Sequence, residues 1–137
     1  MKKDIQNIED IKLLVDNFYR KVGDNDLLGP IFNDIAKVNW EKHLPIMYAF
    51  WASNLLGKIG YKGNPMDAHF KLNKKVPLTD EAFNTWKGLF IETVEDFFEG
   101  KVANEAKKRA VSIADLMFFK IHNFEQSAGV NIGKIRR

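Results

Sequence analysis

Few side chains in this sequence could do chemistry. There are three histidines and no cysteine. His69 follows the turn Gly63-Asn64-Pro65, stands beside Phe70, and has Leu72 three positions on. A neutral imidazole on a short, loop-framed segment is suited to bind a metal through one ring nitrogen. By residue type alone it reads more commonly as a satisfied, half-buried side chain, and both readings stay open at this level. Tyr19, His43 and Trp86 place a phenol, an imidazole and an indole N–H on otherwise apolar helix faces. In a dry pocket such groups can donate hydrogen bonds to a bound ligand.

Other chemistries drop out on inspection. No Gly-rich phosphate loop, His-Glu-x-x-His pair, Gly-x-Ser-x-Gly elbow or calcium loop occurs. A di-iron bundle needs inward Glu-x-x-His pairs, and neither His43 nor His69 has a Glu three residues before it. Without cysteine there is no disulfide, thiolate metal site, iron–sulfur cluster or thiol nucleophile. That composition suits a reducing cytoplasm. The net charge of +3 gathers in Lys107-Lys108-Arg109 and Lys134-Ile135-Arg136-Arg137, while the aromatics fall at core spacing. A basic face interleaved with aromatics is therefore lacking, and nucleic-acid binding is not expected. No stretch reaches the ~20 apolar residues that span a bilayer, and the polar, mixed-charge N-terminus leads us to expect no signal peptide.

The elements that must position these residues are helices. With 137 residues, 45% hydrophobic and 28% charged, the chain makes one domain large enough to enclose a cofactor. Ile8, Ile11, Val15, Phe18 and Val22 recur at helical steps, predicting a helix from about residue 7 to 22 that turns both Phe18 and Tyr19 inward. Gly23-Asp24-Asn25-Asp26 breaks it, and Leu27–Phe32 forms a short corner that carries Phe32 into the core. A second helix runs from Trp40 to about Leu56, with His43 and Met47 on one face. Pro45 lacks an amide donor, so an irregular start is expected around Trp40–Leu44. Residues 57–78 read as loop with a brief helix around Met66–Leu72. Thr79-Asp80-Glu81 opens a helix carrying Phe83, Trp86, Phe90, Val94 and Phe97, stopped by Gly100. The last helix extends from Val102 to about Phe124, and His122 near its end is read as a cation favoured by the helix dipole. The domain is placed at residues 1–127, with a basic, frayed tail at 128–137. The fold class is all-α.

A histidine on a loop-framed segment, facing helices dense in Phe, Trp and Met that carry a few polar atoms, is what a haem site asks of a protein. It needs one imidazole for iron, an apolar slot for the macrocycle, and donors where a diatomic ligand sits. The alternative is a cofactor-free helical interaction domain whose Phe-rich faces pack on one another.

From about Ile8 to Phe124 the chain resembles the truncated haemoglobins, specifically their third group. The matching pieces are Phe18-Tyr19, Leu28-Gly29-Pro30-Ile31-Phe32-Asn33, Trp40-x-x-His43, and Phe50-Trp51 with Leu55-Leu56-Gly57. Tyr61-x-Gly63-x-Pro65 followed by His69, and Phe83-x-x-Trp86-x-x-Leu89-Phe90, complete the series. No piece is specific alone; their order and spacing carry the likeness. The first two groups usually have Gly-Gly pairs between helices, and this chain has none.

The resemblance implies a shortened globin in which two helix pairs sandwich haem b (iron protoporphyrin IX). It implies His69 as the proximal iron ligand, Tyr19, His43 and Trp86 on the distal side, and Met47 as an apolar neighbour. Phe32, Phe50, Trp51, Leu72, Phe90 and Met117 are helical core residues from which the haem contacts are drawn. Lys42, Lys71 and Lys74 are candidates to pair with the propionates, a solvated surface lysine being the alternative. The implied activity is binding of O2, NO, CO or similar ligands at a five-coordinate iron. Several distal donors suggest slow O2 release, hence redox chemistry on bound ligand (nitric oxide or peroxide handling) with an external reductase. The alternative is a non-catalytic oxygen carrier or gas sensor.

Overall fold

The computed structural model describes residues 2–57 and 78–133, with side chains through residue 122. Helix α1 spans Ile8–Asp24. The Asn7 side chain caps it by accepting from the Asp10 amide at 3.0 Å, and Glu9 and Asp10 sit at its positive end. Its buried stripe is Ile11, Leu14, Val15, Phe18, Tyr19 and Val22, the one-sided face expected from the spacing.

Asn25 ends α1 and starts the next element, its side-chain oxygen accepting from the amides of Leu27 and Leu28, each at 2.9 Å. The short helix α2, Leu28–Pro30, passes directly into a π-helical turn over Ile31–Ile35. Gly29 is required here by close approach. A Cβ at that position would lie 2.5 Å from the Gly23 carbonyl oxygen, inside α1. The corner closes with Lys37 in a left-handed conformation (φ 52°).

Helix α3, Trp40–Leu56, is capped by Asn39, whose side chain accepts from Lys42 N at 3.4 Å. The irregular start expected from Pro45 is not found; the backbone is helical from Trp40 onward. Pro45 leaves the Glu41 carbonyl without its intrahelical donor, but Glu41 and Pro45 are both exposed, so water can take that carbonyl. The irregular backbone lies one element earlier, in the π turn.

Helix α4, Asp80–Phe97, begins at Thr79, whose hydroxyl accepts from Ala82 N at 3.1 Å. Helix α5 spans Lys101–Gly133, further than the expected end near Phe124. His122 is thus within α5 and stacks on Phe118 (5.7 Å, 14°), so the helix-end dipole does not account for it. The start of α5 is capped from the far end of the chain, Asp4 accepting from Val102 N at 2.9 Å and Ala103 N at 2.8 Å. Gly100, at φ 137°, makes room; a Cβ there would lie 2.6 Å from that carboxylate.

Two helix pairs result. α1 packs on α3, α4 packs on α5, and α1 also lies across α4 to join the pairs. The core between them holds Phe18, Trp51, Phe90, Val94, Ala106 and Ala110. The small alanines of α5 let α4 approach closely. Lys21 bridges α1 to Glu92 and Asp96 of α4 at 2.7 and 2.6 Å, yet exposed pairs of this kind contribute little beside the core. Among the described residues no helix is long and apolar enough to cross a membrane, and the sole β pairing is an isolated bridge between Lys3 and Phe98.

Candidate functional site

Tyr19 lies on the inward face of α1, only 8% exposed. Its ring meets Phe18 (4.7 Å), His43 (5.3 Å), Trp40 (5.4 Å) and Phe32 (6.3 Å). Among the described residues nothing hydrogen-bonds its hydroxyl. Burial pushes the phenol well above its ordinary pKa, so it stays protonated and remains a donor at neutral pH.

His43 projects from the first turns of α3 toward the same place. Its ring is edge-on to Tyr19 and to Trp40 (5.7 Å), and its Nε2 is shut off from solvent. The sequence placed Trp40 in a family motif without giving it a role. The structure sets it as a wall of this cluster, stacked on Phe32 (6.0 Å, 14°) with its Nε1 donating to Asn33 Oδ1 at 3.0 Å. The signal was available in the spacing, since residues 40 and 43 share a helix face.

Trp86 approaches from α4. Phe18 stands between it and Tyr19, meeting Trp86 edge to face at 5.3 Å, and Phe90 stacks beneath it at 5.9 Å. Phe90 in turn stacks on Trp51 at 4.7 Å. Phe90 and Trp51 are fully enclosed, while Trp86 is half-buried and its indole N–H has no partner among the described residues. Phe18, which the sequence offered only as a helix core residue, is thus the hub linking the α1 and α4 sides of the site.

Of the remaining expected residues, Phe32, Met47 and Phe50 are half-buried at the margin of the core, and Met117 is buried on α5. Lys42 is exposed. His69 and Leu72, with Lys71 and Lys74, lie outside the described residues, as does the brief helix expected around Met66–Leu72.

This donor set fits a flat apolar cofactor carrying a small polar ligand. Three groups, a protonated phenol, an imidazole and an indole, come from three helices onto one aromatic cluster. Of the apolar side chains beside them, Phe18, Phe90 and Trp51 are buried while Phe32, Met47 and Phe50 are half-buried. The Tyr19 hydroxyl makes no hydrogen bond among the described residues, and a donor in a low-dielectric site is stabilised when a ligand accepts from it.

No family model matches the chain. It is 35% identical over 117 residues, 83% of this chain and 90% of the relative, to "Group 3 truncated hemoglobin ctb" of Campylobacter jejuni. Among solved structures it resembles the crystal structure of group III truncated haemoglobin from Campylobacter jejuni, with a TM-score of 0.77 and 33% identity. That likeness covers 88% of this chain and 95% of the other.

Proposed function

The chain belongs to the group 3 truncated haemoglobins, and from that membership we propose that it holds haem b on His69 and performs redox chemistry on a diatomic ligand. As a globin of this family it is a haem protein for diatomic ligands, with O2, NO and CO the candidates. The haem supplies an iron with one position open to such a ligand.

The chain's own residues do the rest. Tyr19 donates its O–H to the ligand, and its burial keeps that proton in place. Trp86 can only donate, so it favours a ligand atom that gains negative charge. His43 adds an imidazole nitrogen that can donate or accept a hydrogen bond at the ligand. Phe32, Met47 and Phe50 wall the slot and exclude water.

The observation that carries this reading is the phenol of Tyr19, a residue only 8% exposed on the inward face of α1, whose hydroxyl makes no hydrogen bond among the described residues. A hydrogen bond to a charged acceptor stabilises by roughly 1.5–3 kcal/mol, so donors from three helices would hold O2 tightly. Slow release suits turnover better than carriage. The reaction proposed is combination of nitric oxide with O2 to nitrate, one electron coming from an external reductase in the cytoplasm. Peroxide reduction is the second substrate class.

Spectroscopy and kinetics test this in order. The purified protein should show a Soret band that moves on reduction and again on adding CO. Tyr19→Phe and Trp86→Phe should each release O2 faster, by about ten- to a hundredfold for a lost bond of that strength. If neither does, the redox reading loses its basis. Fast O2 release by the parent, with no nitrate formed when NO is added, would instead make it a carrier or sensor.

A further inference from the structure

The corner between α2 and α3 carries more structure than turning the chain requires. A π turn places an extra residue in the helical ladder and so re-aims its side chains, and such turns concentrate at functional positions. Here it presents Phe32 and Asn33 to the first turn of α3. The Val38 amide donates to the Phe32 carbonyl at 3.0 Å, and Lys37 takes the left-handed backbone needed to close the loop. Trp40 is then held on three sides. Its Nε1–H donates to Asn33 Oδ1 at 3.0 Å, one face stacks on Phe32, and its edge meets Tyr19 (52°) and His43 (76°).

Tyr19, Trp40 and His43 are in mutual ring contact, at 5.3, 5.4 and 5.7 Å. Freedom granted to one ring is therefore freedom for all three. Trp40 is the first residue of α3, where backbone packing restrains a side chain least, and its polar tether is Asn33. We propose that the Asn33–Trp40 hydrogen bond is a latch, with Trp40 a positioning residue that holds the His43 imidazole and Tyr19 phenol in one pose toward the bound ligand. The latch deepens the functional reading above and rests on Tyr19 being a ligand donor.

The test is infrared spectroscopy of the CO complex of the haem-loaded protein, with CO association measured alongside. The C–O stretch reports how donors stand at the ligand. The parent should give one dominant band. Asn33→Ala removes the carboxamide, and with it the acceptor, from an exposed position, and Trp40→Phe keeps a ring while removing the N–H. Each should split the band, with a new component at higher frequency, and accelerate CO association several-fold. Loss of thermal stability with the parental band and rate retained would reduce the corner to a structural role and overturn the latch. A parent that already shows several bands overturns it as well. If Trp40→Phe does not fold, Asn33→Ala decides alone. Tyr19→Phe separates the two readings: an unmoved band in that variant sinks the donor role and the latch with it. A band moved by Tyr19→Phe but not by Asn33→Ala sinks the latch alone.

Discussion

Phe18 of α1 and Trp86 of α4 meet edge to face, ring centroids 5.3 Å apart and planes at 89°. That geometry matches the positive edge of one ring to the negative face of the other. Because Phe18 also touches Tyr19 and Phe90, it couples the positions of two polar groups that no hydrogen bond joins. Phe18→Ala should cost about 3–5 kcal/mol, the range for emptying a fully buried aromatic site. A urea titration that shows the lower midpoint with an unchanged slope checks it.

Colour should depend on one histidine. We expect His69→Ala to lose the Soret band, while His122→Ala, on the exposed part of α5, keeps it unchanged. His43→Ala should retain haem but alter ligand kinetics. Absorption spectra of the purified variants decide this, and a coloured His69→Ala would remove the proposed iron ligand. Acid extraction of the cofactor into organic solvent should release it, as it does any haem without a covalent bond to the protein.

Gly29→Ala should destabilise strongly for a backbone reason. The new methyl would lie 2.5 Å from the Gly23 carbonyl oxygen, so α1 or α2 must move apart. Overpacking of this kind costs about 1–3 kcal/mol. Gly88→Ala is the control, because its Cβ would meet nothing within 4 Å. A helical Ala there should be neutral or mildly stabilising. Thermal melts of the two variants give the comparison.

The N-terminal segment should make the fold acid-sensitive. Burial by itself would raise the Asp4 carboxyl, but the amides of Val102, Ala103, Ile5 and Lys101 outweigh it and hold the pKa below its ordinary value. Asp10 behaves alike: burial opposes ionisation, and Lys3 with the Gln6 and Asn7 backbone more than offset it. A carboxyl depressed in the folded state stabilises above its unfolded pKa, and that contribution disappears as pH falls through the folded value. Stability should therefore decline below about pH 4, the unfolded carboxylate range. Asp4→Ala should remove about 1–2 kcal/mol near neutrality, as loss of a helix cap does, and flatten the acid limb. Urea midpoints measured between neutral and acidic pH would show both effects; an unchanged acid limb counts against the cap.

Much was legible along the chain because it is local. The step of three and four residues fixes which face of α1 and α4 is apolar, and the capping group at Thr79 acts on an amide within the next turn. Those rules located Tyr19 and Trp86 on inward faces without any knowledge of their partners. Pro45 misled for the same reason. A local rule registers the missing amide, but only the packed helix shows that Glu41 and Pro45 face water.

The sequence by itself determined the helices, the faces they bury and the short set of side chains able to do chemistry, since each depends on periodicity and residue type. Tertiary structure alone decided which of these meet. Asp4 caps a helix that begins nearly a hundred residues later, and the sequence has no periodicity that spans such a distance. The Asn33–Trp40 bond joins the π turn to the first residue of α3, and the turn directly follows α2 where Gly29 lies close against α1, an approach no local spacing states. The cluster of Tyr19, His43 and Trp40 exists because α1 and α3 pack face to face, and no spacing within either helix encodes that encounter.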